Sequence, residues 1–387
     1  MKRLLLSIMI IAGSLHAEGF ESFLNRAVEN SSFLKASHLR IAQTSQAGKV
    51  LTRYENPDLE LEASYFDPDM GGGESGYRAG IAQPIRLWGI SGSKDALAAA
   101  NTLLEKSNYV QVHAAFIRDV SLQYTRYAED DLFMMLALEE SALAQKIYEI
   151  SNARYEAGTI ARGVMLQARV DAKMVQAKRQ GLDVAKKRSY YKLLRTAGIN
   201  EAIELDTDYA FVFEISQRNN PELLQLENAQ KSALASAELN TNKVEWMHVV
   251  AEYENEPDQD IYRLGASFPL AFFNTKSEEK QIAVLETTRT QMLSQNVQTR
   301  MELEMKRLQF ESESLRKLKE IDLVILEDQR ELLAMFEDAY KIANVNLLAL
   351  QDIKSRLVET KGRLIKIKIE LDRNAIERNY LQGNYND

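Results

Sequence analysis

Metal ligation, thiol chemistry and phosphate binding each need particular side chains at particular spacings, and this 387-residue chain offers few of them. It has no cysteine, so a thiolate nucleophile, a disulfide and a thiolate metal site are all excluded. Beyond residue 17, histidine occurs only as His38, His113 and His248, scattered over different segments, which suits solvated or packing residues better than a ligand set. Asp130-Asp131 and Glu139-Glu140 lie in helix-like sequence and read as solvated faces. The twelve methionines do not cluster, and Met134-Met135 reads as packing. Gly71 to Gly73 lack the Lys-Ser/Thr that completes a phosphate loop. No catalytic residue, cofactor or metal site is therefore expected, and the chain reads as a non-enzyme. A net charge of −8, with both signs interspersed, argues against a nucleic-acid partner.

The elements around these residues are easier to read. The six prolines stand at 57, 68, 84, 221, 257 and 269, leaving 85–220 and 270–387 free of helix breakers. Both stretches are rich in good helix formers. Val110, Ile117, Val120, Tyr124, Tyr127, Met134 and Leu138 recur at steps of three, four or seven, as do Leu350, Ile353, Leu357, Leu364, Ile367 and Leu371. A helix from about Gly89 to Glu156 would be roughly 100 Å long, against a usual length of about 11 residues. The stripes break at ARYEAGTIARGVMLQA (153–168) and AYKIANVNLLALQD (339–352), which predict tight turns over 155–163 and 340–347.

The proline-bearing regions alternate instead. LELEASY, the Val249, Ala251, Tyr253 series, residues 77, 79, 81 and 85, and residues 262 to 270 at even positions each put apolar side chains on one face, which predicts strands near 56–66, 76–86, 244–254 and 260–270. They form two hairpins, 56–86 and 244–270. The phrases YRAGIAQP at 77–84 and YRLGASFP at 262–269 share Tyr, Arg, Gly and Pro at equal spacing. Pro84 and Pro269 suit strand ends, Gly80 and Gly265 a bend or close approach, and Trp88 and Phe272-Phe273 a membrane interface. A helix precedes each hairpin, with Asn30 and Asn220 as expected caps. The unit helix, hairpin, long helix, turn, long helix thus occurs twice, over 18–205 and 206–387, giving an α+β chain made mostly of long helices.

Lys2 and Arg3 before LLLSIMIIAGSL, followed by His16-Ala17, predict a secretory signal peptide over 1–17 cut after Ala17, although Leu15 stands where alanine is commoner. A membrane anchor is the weaker reading because the run is short. No later run of about 18 apolar residues exists, so a membrane span would have to be made of strands.

The signal peptide, the duplicated unit, IAQPIRLWG, and RYEAGTIARGVMLQA with its Tyr-x-x-Gly turn followed by Leu-x-Ala resemble the TolC-like outer-membrane factors over nearly all of 20–380. PLAFFN is most similar to the branch paired with heavy-metal and cation efflux pumps. The resemblance implies a homotrimer in a Gram-negative outer membrane, each chain giving four strands to one 12-stranded β-barrel continuous with a periplasmic α-helical tunnel. It implies a passive exit duct for metal cations or small toxic compounds, supplied by an inner-membrane pump through a periplasmic adaptor. The helix turns would dock the adaptor: Tyr155, Ala157, Gly158 and Ile160 in one, Tyr340, Ala343 and Val345 in the other. Asp352 would line the periplasmic aperture.

Three departures stand out. The lipidated cysteine of many relatives is absent. Ala343 replaces the glycine of the second turn, which is one residue shorter than the first. Gly163-Val164 stands where relatives often carry an aspartate. Other readings are an exit duct for type I protein secretion, a periplasmic coiled-coil structural protein, and the adaptor itself. The paired amphipathic hairpins count against the structural protein, and the lack of lipoyl-like segments counts against the adaptor.

Overall fold

The computed structural model describes residues 18–67, 71–215, 218–342 and 344–386. The signal segment 1–17 and Ala343 lie outside the described residues. Eleven elements follow in order: α1 (Phe20–Asn30), α2 (Ser32–Thr52), β1 (Asp58–Phe66), β2 (Glu74–Arg86), α3 (Ile90–Glu156), α4 (Arg162–Ala197), α5 (Pro221–Leu239), β3 (Trp246–Glu256), β4 (Gln259–Ser267), α6 (Ser277–Lys341) and α7 (Leu347–Leu381). The described residues are mostly helical with one four-stranded antiparallel sheet, ordered β1-β2-β3-β4. The long helices occupy the two proline-free stretches, where nothing interrupts the backbone ladder.

Two local expectations need correction. Asn30 does not cap α2. It is the last residue of α1, and Ser31 takes the role, its Oγ accepting the Leu34 N–H at 3.2 Å. A hydroxyl in the one-residue gap between two helices reaches that donor, while Asn30 is still helical. Pro84 does not end its strand, because the ladder continues to Arg86. Pairing of β2 with β1 stops at Ala82, so Pro84 has a neighbour on one side only, and a missing N–H on the open side costs no ladder bond. Asn220 does cap α5, its Oδ1 accepting from Glu222 N–H at 2.9 Å and Leu223 N–H at 3.3 Å with Pro221 in the first turn.

The chain divides into two compact units, each drawing on both sequence halves. Of the described residues, one unit combines those from Glu18 to Leu34 with those of His113–Arg218 and from Glu302 to Asn386; the other holds Lys35–Val112 and Asn219–Met301. In the first, Phe20, Phe23, Tyr124, Leu193 and Leu205 form one core cluster, with the Phe20 and Tyr124 rings 4.7 Å apart. The Tyr124 hydroxyl donates to the Asp206 carbonyl, and Glu18 pairs in parallel with Leu205. A second cluster, Ile147, Ala168, Leu326, Leu333, Tyr340, Leu347, Leu350 and Leu357, joins α3, α4, α6 and α7.

Among the described residues the stretch from Phe211 to Glu214 pairs with no strand, and it bonds its backbone to α7 side chains. Phe211 N–H donates to Asp372 Oδ1 at 3.1 Å, Glu214 N–H to Asn379 Oδ1 at 3.1 Å, and Asn379 Nδ2 to the Val212 carbonyl at 2.8 Å. Burial pushes the Asp372 carboxyl up to about 6, against the pull of that N–H, Lys368 and Lys319. A carboxyl raised in the folded state contributes stability below its unfolded pKa and loses it as pH rises through the folded value. Asp372→Asn keeps an acceptor for Phe211. It is expected to flatten the stability change between about pH 4 and 6 and to raise stability at pH 7 by up to about 3 kcal/mol. Thermal melts of parent and variant across that range check it; parallel curves would contradict it.

In the second unit Arg86 ties several chain ends together. Its guanidinium lies 4.7 Å from the Tyr54 ring centre and 4.6 Å from that of Trp246. It donates to the Thr52 carbonyl at 2.9 Å, the Arg53 carbonyl at 2.6 Å and Glu245 at 3.2 Å. The carbonyls at the end of α2 are thus satisfied by a buried cation that shares the Glu245 carboxylate with Lys94, 2.5 Å away from it.

Candidate functional site

Register places every alternating apolar residue of the two hairpins on one face of the sheet. Leu59, Ile81, Ala251 and Leu264 form one cross-strand row; Leu61, Ala79, Tyr253 and Tyr262 form the next. This face is open, with Leu61 72% and Leu264 82% exposed. Tyr253 stands between Tyr77 and Tyr262, with ring centres 5.9 Å and 5.2 Å away. A bare apolar face of this extent costs free energy in water and suits contact with a nonaqueous phase.

The opposite face is charged. Glu60, Gly80, Glu252 and Arg263 make one row; Glu62, Arg78, Glu254 and Ile261 make another. In the first hairpin Arg78 reaches Glu60 at 3.5 Å and Glu62 at 2.5 Å. In the second, Arg263 reaches Glu252 at 3.6 Å and also pairs with Glu254. The recurring Tyr-Arg phrase therefore has one physical meaning in both places. Its tyrosine belongs to the apolar face, and its arginine clamps a Glu-x-Glu pair on the preceding strand. That clamp was not anticipated from the sequence, although LELE and EYE before each phrase were its visible signal.

The remaining strand residues fall as follows. Gly80 sits where an added Cβ would come 3.3 Å from Glu252 Cγ, a close approach; an added Cβ at Gly265, opposite Val250, would meet nothing within 4 Å. Pro269 lies two residues beyond β4. Trp88 is 90% exposed and Phe273 fully so; they follow β2 and β4, whose ends pair with the start of β3 at one rim of the sheet. The outer edges of β1 and β4 carry no strand among the described residues.

The first helix turn closes α3 by a Schellman arrangement. Thr159 N–H donates to the Arg154 carbonyl at 2.9 Å and Gly158 N–H to the Tyr155 carbonyl at 2.9 Å, with Gly158 at φ +72°. Gly158 is thus a helix cap in its own right, and a bulky residue there would strain the backbone. In the second turn Asn344 N–H donates to the Ala339 carbonyl at 2.9 Å, and Asn346 caps α7 by accepting the Ala349 N–H at 2.8 Å. Asn346 was not singled out in the sequence, where its place just before an apolar run was the signal.

The turns are side by side. Arg154 donates to the Tyr340 carbonyl at 2.8 Å and lies 4.6 Å from its ring centre, while the Ser151 and Tyr340 hydroxyls are 2.8 Å apart. A cleft of about 400 Å³ opens between them, lined by Ile160, Val164, Val345 and Leu348 among others. Tyr155, Ala157 and Gly158 are exposed, and Ile160 and Val345 half-buried. Tyr340 is a correction: it is 1% exposed and packs α6 onto α3, so it has no surface to offer a docking partner. Asp352 is exposed on α7 and pairs with Arg356 at 2.9 Å.

The histidines do not converge. His38 packs on Tyr109 at 5.3 Å, His113 Nδ1 is 3.2 Å from the Tyr385 carbonyl, and His248 pairs with Ser267 across β3 and β4. Among the described residues no group of three or more His, Asp or Glu is arranged to hold a metal ion, and no helix is long and apolar enough to cross a membrane.

No protein-family signature matches the chain, and no curated protein matches it in sequence. Solved structures do. CusC, studied for folding and transmembrane channel formation, is 14% identical, with 94% of this chain and 91% of that chain covered at a TM-score of 0.78. The CmeC outer-membrane channel of Campylobacter jejuni is 11% identical over 94% and 85%, with a TM-score of 0.75. The MtrE outer-membrane channel of Neisseria gonorrhoeae, in its open state, is 15% identical over 93% and 88%, at 0.72. The chain has the fold of these outer-membrane channel chains, which are not enzymes.

Proposed function

We propose that this chain is one subunit of an outer-membrane export duct. The two-faced sheet carries this reading: one face presents apolar rows across its middle, with Ser75, Gln83, Asn255 and Asp260 only toward its ends, and the other a lattice of glutamates clamped by Arg78 and Arg263. A strand that alternates lipid-facing and water-facing residues, with exposed aromatics at one rim, meets the requirements of a transmembrane barrel. Four strands with two open edges leave backbone groups unsatisfied in lipid. Three chains supply twelve strands and remove the edges, so the functional unit is a homotrimer.

The duct is passive. It works with an inner-membrane pump, which supplies energy and most substrate choice, and with a periplasmic adaptor that meets the two helix turns. The PLAFFN phrase, similar to the cation-efflux branch, favours metal cations or small toxic compounds as cargo. Gly158, Ala157 and Ile160 in one turn and Val345 in the other are the docking residues, and the duplication presents six similar turns in a trimer. Asp352 lines the periplasmic aperture, and the repeat boundary falls near 205.

Fractionation with native mass measurement in mild detergent tests the reading. The expected result is an outer-membrane protein lacking residues 1–17 and running at three chain masses; a monomer free in the periplasm would refute it. Asp352→Ala is expected to lower cation preference and alter conductance in that trimer. Bilayer currents identical to the parent would remove Asp352 from the aperture.

A further inference from the structure

A cleft of about 580 Å³ in the first unit plays no part in the duct reading. Residues 210–213 and faces of α3, α6 and α7 line it. Its wall holds four cations, Arg316, Lys319, Lys368 and Arg378, against one carboxylate, Asp372. That is the reverse of a chain with net charge −8. Elsewhere on these helices arginines are paired, Arg363 with Asp322 at 2.9 Å and Arg373 with Glu129 at 2.8 Å. Among the described residues Arg316 and Lys319 form no ion pair, and Lys368 reaches only Asp208, at 3.6 Å.

Arg378 is the least satisfied of the four. Its guanidinium lies 3.7 Å from the Phe213 ring centre, and its buried Nε donates to no acceptor. Burial first, and then the like charge of Arg316, depress its pKa, with Glu313 opposing. Two like-charged guanidinium groups thus line one cleft beside an unused donor, a costly arrangement unless an anion joins them. Leu132, Leu364 and Leu371 supply an apolar wall next to this charge.

We propose that the cleft binds a small amphiphilic anion, its sulfonate, phosphate or carboxylate head held between Arg316 and Arg378 and its apolar body against Phe213 and the leucines. The volume falls in the roughly 300–1,000 Å³ range of small-molecule sites. Charge complementarity selects the head, and cation–π and apolar contacts select the body. Asp372, faced by the Phe211 N–H from the linker, Lys319 from α6 and Lys368 from α7, repels the head when ionised. With its carboxyl raised to about 6, affinity for an anion that stays charged rises as pH falls through that value.

Equilibrium dialysis of naphthalene-2-sulfonate against the purified full chain in nonionic detergent, with a detergent blank, tests the site; naphthalene-2-sulfonamide serves as the neutral isostere. One sulfonate per chain is expected, bound at least about tenfold more tightly than the sulfonamide. Arg378→Gln and Arg316→Gln are each expected to weaken it by about tenfold or more, while Arg289→Gln, an exposed arginine elsewhere on α6, leaves it unchanged. Arg316 is exposed, so its variant reports on binding even where Arg378→Gln fails to fold. Equal affinity for the two probes, or parental binding by Arg316→Gln, overturns the site. So does a changed oligomeric mass in Arg316→Gln, since the cleft would then seat a second copy of the chain. None of these outcomes depends on whether the protein conducts, so the duct reading and the anion site stand or fall separately.

Discussion

Leu264→Arg is expected to remove the protein from the outer membrane, whereas Arg263→Gln, one residue earlier, leaves it there. Leu264 is near the middle of β4 on the open apolar face, in a row with Leu59, Ile81 and Ala251. An arginine facing lipid near the bilayer midplane costs about 2–4 kcal/mol, and three copies in one barrel about 6–12, enough to consume the stability of an ordinary domain. Arg263 points the other way, into the glutamate lattice with Glu252 and Glu254. On a water-filled lumen such pairs contribute little. Immunoblots of outer-membrane fractions should show Leu264→Arg reduced at least tenfold and Arg263→Gln near the parental amount. Equal tolerance of both changes would mean that the apolar face does not meet lipid.

Much of this face was legible in the sequence. Alternation in LELEASY, VVAEY and the two Tyr-Arg phrases assigned each residue to a side, because a strand has a side-chain period of two and one register brings all four apolar sets together. Proline placement bounded the long helices just as directly, since one proline costs a helix about 3 kcal/mol. What could not be read is what depends on partners distant in sequence. Arg86 looks like any strand-end arginine until Tyr54, Trp246 and the last carbonyls of α2 close around it. Pro84 looked like a terminus because proline says nothing about which side of the strand is unpaired. Tyr340 and Tyr155 hold equivalent places in their turns, yet Tyr340 meets Ser151 and Arg154 and is buried while Tyr155 stays exposed, a difference between repeats that no local pattern encodes.

That asymmetry shapes the second large effect. Ile160→Asp is expected to abolish export while outer-membrane level and native mass stay parental. Ile160 is half-buried at the edge of the cleft between the turns, so a carboxylate there leaves the fold intact and places a charge where an adaptor's apolar side chain would be desolvated. Loss of export by at least about a hundredfold corresponds to some 2.7 kcal/mol of lost docking energy, within reach of one buried charge. Gly158 is a poorer probe because its φ of +72° makes any bulky replacement strain the cap itself. Tyr340→Ala is poorer still, since removing a fully buried aromatic costs about 3–5 kcal/mol and loosens the helix ends. Normal susceptibility of cells carrying Ile160→Asp to the exported compounds would mean that the turns do not carry docking.

The most direct test of the duct is current through the purified protein in a planar lipid bilayer. If three chains close one barrel with the charged face inward, insertion yields discrete, uniform conductance steps. Under a salt gradient their reversal potential has the sign of cation preference, since Asp58, Glu60, Glu62, Glu74, Glu252, Glu254 and Glu256 outnumber Arg78, Arg86 and Arg263 on that face. A protein that inserts at the same density and passes no current, or only irregular leakage independent of its amount, would contradict the account at its centre.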